Sequence, residues 1–149
     1  MKGNIKNEMR IKLPSLSVNE WVARSAVAAF CAQLDPSASE LADIKCVVSE
    51  AVTNCIVHGY RDTVGLIYIN VILYDDGIVR IEIKDKGVGI TDVKQAREPL
   101  FTTDPGGERS GMGFTVMESF TDKVKVSSKV DCGTKVVMYK KLFGKNDKL

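Results

Sequence analysis

The segment IEIKDKGVGI, residues 81–90, places a carboxylate where the pattern of a strand requires an apolar side chain. Successive side chains of a strand point to opposite faces, so Asp85 shares its face with the three aliphatic residues that precede it in that register. Two glycines, Gly87 and Gly89, follow directly. The pattern indicates a binding site in which one acid lies at the edge of the core beside a backbone that carries no side chains.

A second pair with chemical potential lies upstream, where Glu50 and Asn54 are spaced i and i+4 on a predicted helix. At 100° per residue the apolar positions of this helix fall in one arc, and the pair falls roughly opposite, with His58 one turn further along. The pair can belong to a solvated face, or it can line a cleft beside the glycine loop. The residues alone leave both interpretations open.

Glycines also precede a later helix, because GERSGMGF supplies Gly107, Gly111 and Gly113. Glycines at a helix N-terminus let backbone N–H groups approach an anion, and the helix dipole favours negative charge there. No GxxxxGK followed by Ser or Thr is present, which excludes a P-loop. In GVGITD, Asp92 occupies the place where a dinucleotide-binding turn requires its third glycine.

Composition favours an ordinary globular domain. The 149 residues suit one domain, with a hydrophobic fraction of 44% and a charged fraction of 27%. A net charge of +2 gives no broad basic footprint, so direct binding of nucleic acid is not expected. The apolar runs are interrupted, for example at Asn70, so no membrane association is expected.

The cysteines and the first residues bear on the cellular compartment. The N-terminal MKGNIKNEMR lacks the apolar stretch of a signal peptide, and a cytoplasmic location is expected. Cysteines 31, 46, 55 and 132 show no CxxC spacing and are expected to be reduced. With His58 as the single histidine, a zinc site is not expected.

Helices and strands alternate along the chain. Two sequences of capping-box type, SVNE (Ser17 to Glu20) and SASE (Ser37 to Glu40), predict helix starts. The first helix should end near residue 34 and the second near Gly59, and a short helix is predicted at about 113–120. The predicted strands are NEMRIKLP near the N-terminus and about 66–74, 78–85, 123–128 and 134–142.

These elements predict a two-layer α/β sandwich, in which a mixed, mostly antiparallel sheet is covered on one face by helices. We expect a single domain over 1–149, with its core at about 5–141 and a tail at 142–149. Residues 91–110 contain many turn formers and hold no strong pattern.

The ordered set of motifs is more specific than any one of them. E-x-x-x-N on a helix, D-x-G-x-G after a strand, G-x-G before a helix and a late Gly133-Thr134 together resemble the GHKL, or Bergerat-fold, ATPases. Within that superfamily SEAVTNCIVHGY and EPLFTTDPGGERSGMGFTVMESF are similar to the family of sporulation anti-sigma F factors, which are small serine kinases. The resemblance covers about residues 5–141. Cys55 departs from it, since the family tends to have alanine there, and only local packing is affected.

The resemblance implies a role for each residue of the glycine loop. Asp85 would accept a hydrogen bond from the adenine amino group of ATP or ADP. Gly87 and Gly89 would let the backbone close over the base and sugar, and Thr134 would hold the base through its hydroxyl or a water.

The resemblance also implies how the phosphates are held. Asn54 would ligate Mg²⁺, a hard ion suited to an amide oxygen, and Glu50 would act as general base toward a serine hydroxyl. Residues 95–110 would form a lid. Gly111 and Gly113 would meet the phosphates, and Arg109 would offset charge on the transferred group or remain an exposed lid residue.

Three functions are compatible with these motifs. The first is an anti-sigma factor and serine kinase that sequesters sigma factor F, phosphorylates the anti-anti-sigma factor that would release it, and forms a homodimer, as the resemblance implies. The second is a histidine-kinase catalytic domain, which the sequence disfavours because it contains no separate acceptor element. The third is a nucleotide-binding adaptor without catalysis, which has no need of Glu50. His58 is expected to be structural or secondary to the nucleotide site, not a phosphoacceptor.

The first helix offers a candidate partner surface at Arg24, which projects away from the predicted buried side. Trp21 lies near the boundary of that exposed side, and an arginine beside a large aromatic is a pair enriched in binding hot spots. The alternative is a surface ion pair, because Glu20 and Arg24 are i,i+4 neighbours.

Overall fold

Five strands form one sheet in the computed structural model, which describes residues 3–99 and 113–144. The strand order is β1-β2-β3-β5-β4, and every pairing is antiparallel. The elements, in chain order, are β1 (Ile5–Pro14), α1 (Val18–Cys31), a 3₁₀ turn (Ala32–Leu34), α2 (Ala38–Asn54), a π-helical turn (Cys55–Gly59), β2 (Leu66–Tyr74), β3 (Ile78–Lys84), α3 (Val93–Ala96), α4 (Gly113–Phe120), β4 (Lys123–Lys129) and β5 (Gly133–Lys141).

The two-layer architecture is confirmed, but the expectation of a mixed sheet is wrong in detail. The helical connection after β3 returns the chain so that β4 runs parallel to β3. The last strand, β5, then folds back as a hairpin and lies between them. The parallel relation therefore exists only between strands that are not hydrogen-bonded to each other.

The core lies between the sheet and the central helix α2, which packs against both α1 and α4. The inward-facing residues of β2 and β3 alternate with outward polar ones, as expected for a sheet with one covered face. Ile69 and Ile81 are each 1% exposed, and Ile44 and Val48 of α2 are fully buried against this layer. Burial of aliphatic side chains on this scale is the main stabilising contribution to the fold.

Only one of the two predicted capping boxes forms. Ser37 accepts a hydrogen bond from the Glu40 amide at 3.1 Å, and Glu40 accepts one from the Ser37 amide at 2.9 Å. The prediction for Ser17 is wrong, because its backbone is already helical (φ −54°, ψ −37°) and its side chain caps nothing. Its expected partner Glu20 instead accepts a hydrogen bond from the hydroxyl of Ser49 on α2.

Glu40 also ties the predicted tail to the domain. Its carboxylate accepts hydrogen bonds from the amides of Phe143 at 2.7 Å and Gly144 at 3.1 Å, and the residue is 7% exposed. Burial by itself raises the pKa of Glu40, but the backbone N–H donors outweigh that effect, and the net result is a lowered pKa. The charged form of Glu40 is therefore the form that stabilises the fold.

We expect Glu40→Gln to lower the free energy of unfolding by about 1–3 kcal/mol at neutral pH, because an amide NH₂ group replaces an oxygen that accepts from N–H donors. Because the pKa of Glu40 is lower in the folded than in the unfolded protein, this residue stabilises the fold at pH values above the ordinary glutamate pKa of about 4.3. The stabilisation is lost as the pH falls from there through the pKa of the folded state. Denaturant unfolding of both proteins should therefore converge in acid. Glu98→Gln, at an exposed site, is the control. Equal stability of Glu40→Gln and wild type at pH 7 would contradict this role.

Candidate functional site

A cavity of about 300 Å³ opens between α2, the ends of β3 and β5, and the segment around α3. Five of the residues predicted from the sequence line it, namely Asn54, Asp85, Gly89, Gly113 and Thr134. Apolar walls are supplied by Ala51, Ile83, Ile90, Phe114 and Val136. An apolar cavity with a few converging polar groups is the usual form of a small-molecule site.

Asp85 is the buried acid of this cavity, with 4% of its surface exposed. Its Oδ1 accepts a hydrogen bond from the Gly87 amide at 2.9 Å, and the thiol of Cys55 donates a second one. A Cβ at Gly59 would lie 2.9 Å from the carboxyl group, so glycine is needed there for the close approach. Burial raises the pKa of Asp85 despite these two hydrogen bonds and a third from the Thr134 backbone.

The glycine loop is pinned on both sides by backbone contacts. A Cβ at Gly87 would overlap the carbonyl group of Gly59, which itself accepts a hydrogen bond from the Val88 amide at 3.0 Å. Gly89 has a φ of +77°, and a Cβ there would overlap the carbonyl group of Lys129. The loop therefore cannot carry side chains at either glycine without moving away from its neighbours.

Tyr60 holds the start of the same loop. Its hydroxyl donates to the Leu66 carbonyl at 2.6 Å and accepts from the Lys86 amide at 2.6 Å. The residue is 8% exposed and belongs to the hydrophobic core. No sequence pattern predicts the role of its hydroxyl, which holds the backbone one residue after Asp85.

Thr134 is fixed by a chain of hydroxyl groups. Ser128 Oγ accepts from the Ile90 amide at 2.7 Å and donates to the Gly133 carbonyl at 3.0 Å. The Thr134 hydroxyl lies 2.8 Å from Ser128 Oγ and must donate to it, because the one Ser128 proton is already used. The lone pairs of the Thr134 oxygen thus remain able to accept a hydrogen bond from a ligand.

Glu50 and Asn54 meet the start of α4. A Cβ at Gly113 would lie 3.3 Å from both Asn54 Nδ2 and Glu50 Oε2. Asn54 lines the cavity, whereas Glu50 lines an adjoining groove of about 340 Å³ between α1 and α2 that also includes Arg24. Asn54 thus lines the cavity that also contains Gly89 of the glycine loop, whereas Glu50 faces the adjoining groove. Both side chains lie beside Gly113 at the start of α4.

The remaining candidates are placed as follows. Arg109, Gly107 and Gly111, with most of the predicted lid, lie outside the described residues. His58 lines the cavity. Arg24 Nε lies 3.3 Å from Glu20 Oε1, so the ion pair predicted as an alternative is formed, and Trp21 is 59% exposed on the same helix.

Gly133, already named with Thr134 as a motif, has a φ of +105°, and a Cβ there would overlap the Asp85 carbonyl group. Two residues that line the cavity, Gly59 and Phe114, were not predicted as site residues. Each is adjacent to a residue that was singled out, so the signal was proximity to a motif. The π-helical turn Cys55–Gly59 had no signal in the sequence.

Three other kinds of feature bear on function in the described parts of the chain, namely disulfides, metal clusters and membrane-spanning helices. All four cysteines are free, and among residues 3–99 and 113–144 no group of three or more His, Cys, Asp or Glu side chains is arranged to hold a metal. No helix in the described ranges is both long and apolar enough to span a membrane.

Comparison with known proteins agrees with this geometry. Residues 14–140 match the family described as histidine kinase-like ATPase domain. An anti-sigma F factor of Geobacillus sp. (strain WCH70) is 56% identical over 137 residues, covering 91% of this chain and 93% of that protein. The anti-sigma F factor of Bacillus subtilis (strain 168) is 53% identical over 139 residues, covering 93% and 94% respectively.

Solved structures support the fold. A crystal structure of the RsbU and RsbW domains of a Mycobacterium tuberculosis protein matches with a TM-score of 0.67 and 20% identity, covering 92% of this chain and 33% of that one. A blue-light activated histidine kinase of Erythrobacter litoralis matches with a TM-score of 0.55 and 16% identity, covering 79% and 40%.

We expect Tyr60→Phe to lower the free energy of unfolding by about 1–2 kcal/mol, because the Lys86 amide and the Leu66 carbonyl lose a shared partner. The glycine loop should also lose protection, so amide hydrogen exchange at Lys86 and Gly87 should speed up more than exchange in the centre of β3. Tyr68→Phe on the outer face of β2 is the matched control. Unchanged exchange at Lys86 would show that the hydroxyl does not hold the loop.

Proposed function

Because the chain belongs to the histidine kinase-like ATPase family and, within it, to the anti-sigma F factors, we propose that it transfers the γ-phosphoryl group of ATP to a serine of an anti-anti-sigma factor. The chain is an anti-sigma factor with a kinase-type ATPase domain, and it binds nucleotide and a sigma factor. The serine acceptor, Mg²⁺, the homodimer and the cytoplasmic location are part of the proposal. The observation that carries it is that Asp85, Asn54 and Gly113 line one cavity, while Glu50 lies beside Gly113 in the adjoining groove.

The buried end of the cavity suits adenine. Ile83 and Val136 are paired neighbours on β3 and β5 and form one apolar wall of the cavity, against which a flat aromatic base can lie. The exocyclic N–H group of such a base requires an acceptor there. Asp85 supplies a carboxylate oxygen, and Thr134 supplies a second acceptor because its proton is used by Ser128. Guanine carries a carbonyl at the equivalent edge, which would face the carboxylate without a proton between them.

The donor set at the other end fits Mg²⁺. The amide oxygen of Asn54 and the carboxylate of Glu50 one turn earlier are hard oxygen donors, and Mg²⁺ typically takes few protein ligands together with substrate phosphates and waters. We propose Asn54 as the ligand. When bound, the ion offsets charge on the phosphates, and the N-terminus of α4 at Gly113 adds backbone N–H donors on the same side.

Glu50 is proposed as the general base. Its carboxylate lies beside the phosphate end at Gly113 and also lines the groove between α1 and α2, so a serine that enters by the groove reaches it. Glu50 accepts the serine proton as the serine oxygen bonds to the γ-phosphorus, and ADP leaves with the electron pair of the broken bond. Arg109 is proposed to offset charge on the transferred group.

Arg24 is proposed as a partner contact, because it lines the same groove as Glu50. Its ion pair with Glu20 holds the guanidinium at the mouth of the groove and does not remove it from solvent, since the side chain is 38% exposed. Sigma factor F and the anti-anti-sigma factor would compete for this region. Such competition fits a release mechanism in which phosphorylation of the antagonist ends its binding.

A second copy of the chain is proposed to dock on an exposed apolar patch near the end of β1. The Ser15 amide bonds the Gly65 carbonyl at 2.9 Å, which brings the start of α1 beside the start of β2. The patch is made of Leu16, Val18, Trp21, Val64 and Leu66, each at least 42% exposed. Contiguous exposed apolar residues of this kind mark protein–protein contacts.

The kinase proposal is tested with Glu50→Gln. We expect near-normal ATP binding by calorimetry and a decrease of roughly 10²–10⁴-fold in phosphate transfer from labelled ATP to the anti-anti-sigma protein, because the amide cannot take a proton. Mass spectrometry should place the label on a serine. Glu8→Gln, on an edge strand, should transfer at the wild-type rate. Transfer by Glu50→Gln within about twofold of wild type would remove Glu50 from the base role.

The adenine proposal is tested with Asp85→Asn. Burial raises the pKa of Asp85, so its charged form destabilises the fold above that pKa, and the penalty is absent in acid below the ordinary value of about 3.9. At neutral pH we therefore expect the variant to be at least as stable as wild type. ATP affinity should nevertheless fall by about 5- to 150-fold, equivalent to about 1–3 kcal/mol.

The exposed substitution Asp62→Asn is the control for this variant and should bind ATP normally. Wild type should discriminate against GTP in the same calorimetric titration. Equal affinity of wild type for ATP and GTP would contradict the adenine assignment.

A further inference from the structure

The face of the sheet that points away from the helices, here called the open sheet face, is strongly basic. It is made of alternate strand positions that the pairing register brings to one side. Its charged strand residues are Glu8, Arg10, Lys12, Arg80, Glu82, Lys84, Lys123, Lys125, Lys129, Lys135 and Lys141.

The face thus holds nine cations and two carboxylates, whereas the whole chain has a net charge of only +2. Both carboxylates are already paired with arginines of the same face, Glu8 with Arg10 at 3.3 Å and Glu82 with Arg80 at 3.1 Å. The lysines therefore dominate the potential above the sheet, and the rest of the protein carries a net negative charge.

Two tyrosines lie among these cations. Lys12 Nζ and Lys86 Nζ lie 5.8 Å and 4.9 Å from the centre of the Tyr68 ring. Around Tyr139, the guanidinium carbon of Arg80 lies at 6.0 Å and Lys125 Nζ lies at 5.8 Å. Aromatic rings interleaved with cations on a sheet combine base-stacking surfaces with charges that track a phosphate backbone.

The composition of the face argues against a protein partner. Lysine is depleted in the buried centres of protein–protein interfaces, which rely on apolar and aromatic anchors. Val137, an apolar residue of the open sheet face, is only 5% exposed, and the exposed apolar patch lies at the end of β1 instead. A membrane surface is also a poorer fit, since peripheral membrane binding combines charge with apolar side chains that insert, and the strand residues of this face are mostly charged.

We propose that the open sheet face binds the phosphate backbone of single-stranded nucleic acid without sequence preference. Four spacings of about 4.8 Å make the five strands roughly 19 Å wide, enough for several phosphates. Lysine is a point charge without the planar fork that reads base edges, so its predominance fits backbone contacts. The low net charge of the chain does not reveal the positive charge of the open sheet face, because acidic residues elsewhere in the chain offset that charge in the total.

The test uses the full chain and fluorescein-labelled oligothymidylate and oligouridylate of about 20 nucleotides, with binding measured by anisotropy over a salt series. We expect a Kd of about 10⁻⁴–10⁻⁶ M at physiological salt and a linear fall of log K with log salt. Lys84→Gln with Lys125→Gln should weaken binding roughly tenfold and flatten the slope by about 1.4, the value for two phosphate contacts to a single strand.

Lys45→Gln with Lys94→Gln removes the same charge from exposed helix positions and should leave the affinity and the slope unchanged. ATP binding is measured for all variants to show that each is folded. An equal effect of the two double variants would overturn the proposal, as would the absence of oligonucleotide binding at low salt. Equally tight binding to poly-glutamate of matched charge, or to vesicles containing phosphatidylserine, would also overturn it by assigning the face to an acidic protein or to a lipid surface.

Discussion

The rest of the site depends on burial of one carboxylate at the edge of the core. Asp85 continues the aliphatic register of β3, and an ionised acid in that position is costly unless donors are supplied. The Gly87 amide and the Cys55 thiol supply two. The carboxyl group itself could not keep this position if Gly59 carried a side chain, because a Cβ there would lie 2.9 Å from it. The glycines around the acid are thus a consequence of its burial as well as of ligand access.

The turn at the end of α2 connects the two ends of the cavity. Helix α2 carries Glu50 and Asn54 to the side of the cavity at Gly113, and the π-helical turn that follows carries Cys55 and Gly59 to Asp85. The wider π turn shifts the chain by one residue relative to an α-helix, and such turns are frequent at functional sites. A single continuous element therefore fixes the distance between the acid at one end and the amide and carboxylate at the other.

Sequence periodicity was sufficient for the five strands, the three longer helices and the main polar residues at and beside the cavity. The alternation in β3 located Asp85, and the i,i+4 spacing located Glu50 and Asn54, because both patterns follow from backbone geometry alone. What the sequence did not reveal depends on contacts between distant segments. Ser17 matches a capping box as well as Ser37 does, yet Glu20 is drawn to α2 instead. The Tyr60 hydroxyl has no local sequence signature, because its partners are the Leu66 carbonyl at the start of β2 and the Lys86 amide just after the end of β3.

The same distinction applies to charge. The net charge of the chain adds Lys84 to acids on the opposite side of the domain, so the two charges cancel in the total although the sheet separates them in space. Alternation along a strand assigns each residue to a face but gives the sign of a face only when the strands are paired in register. In this chain the register brings lysines of β3, β4 and β5 to one side of the sheet, and the cavity lies on the other side. The electrostatic potential in the cavity is therefore set mainly by buried hydrogen-bond donors and the N-terminus of α4. The charges of the open sheet face are separated from the cavity by the thickness of the sheet.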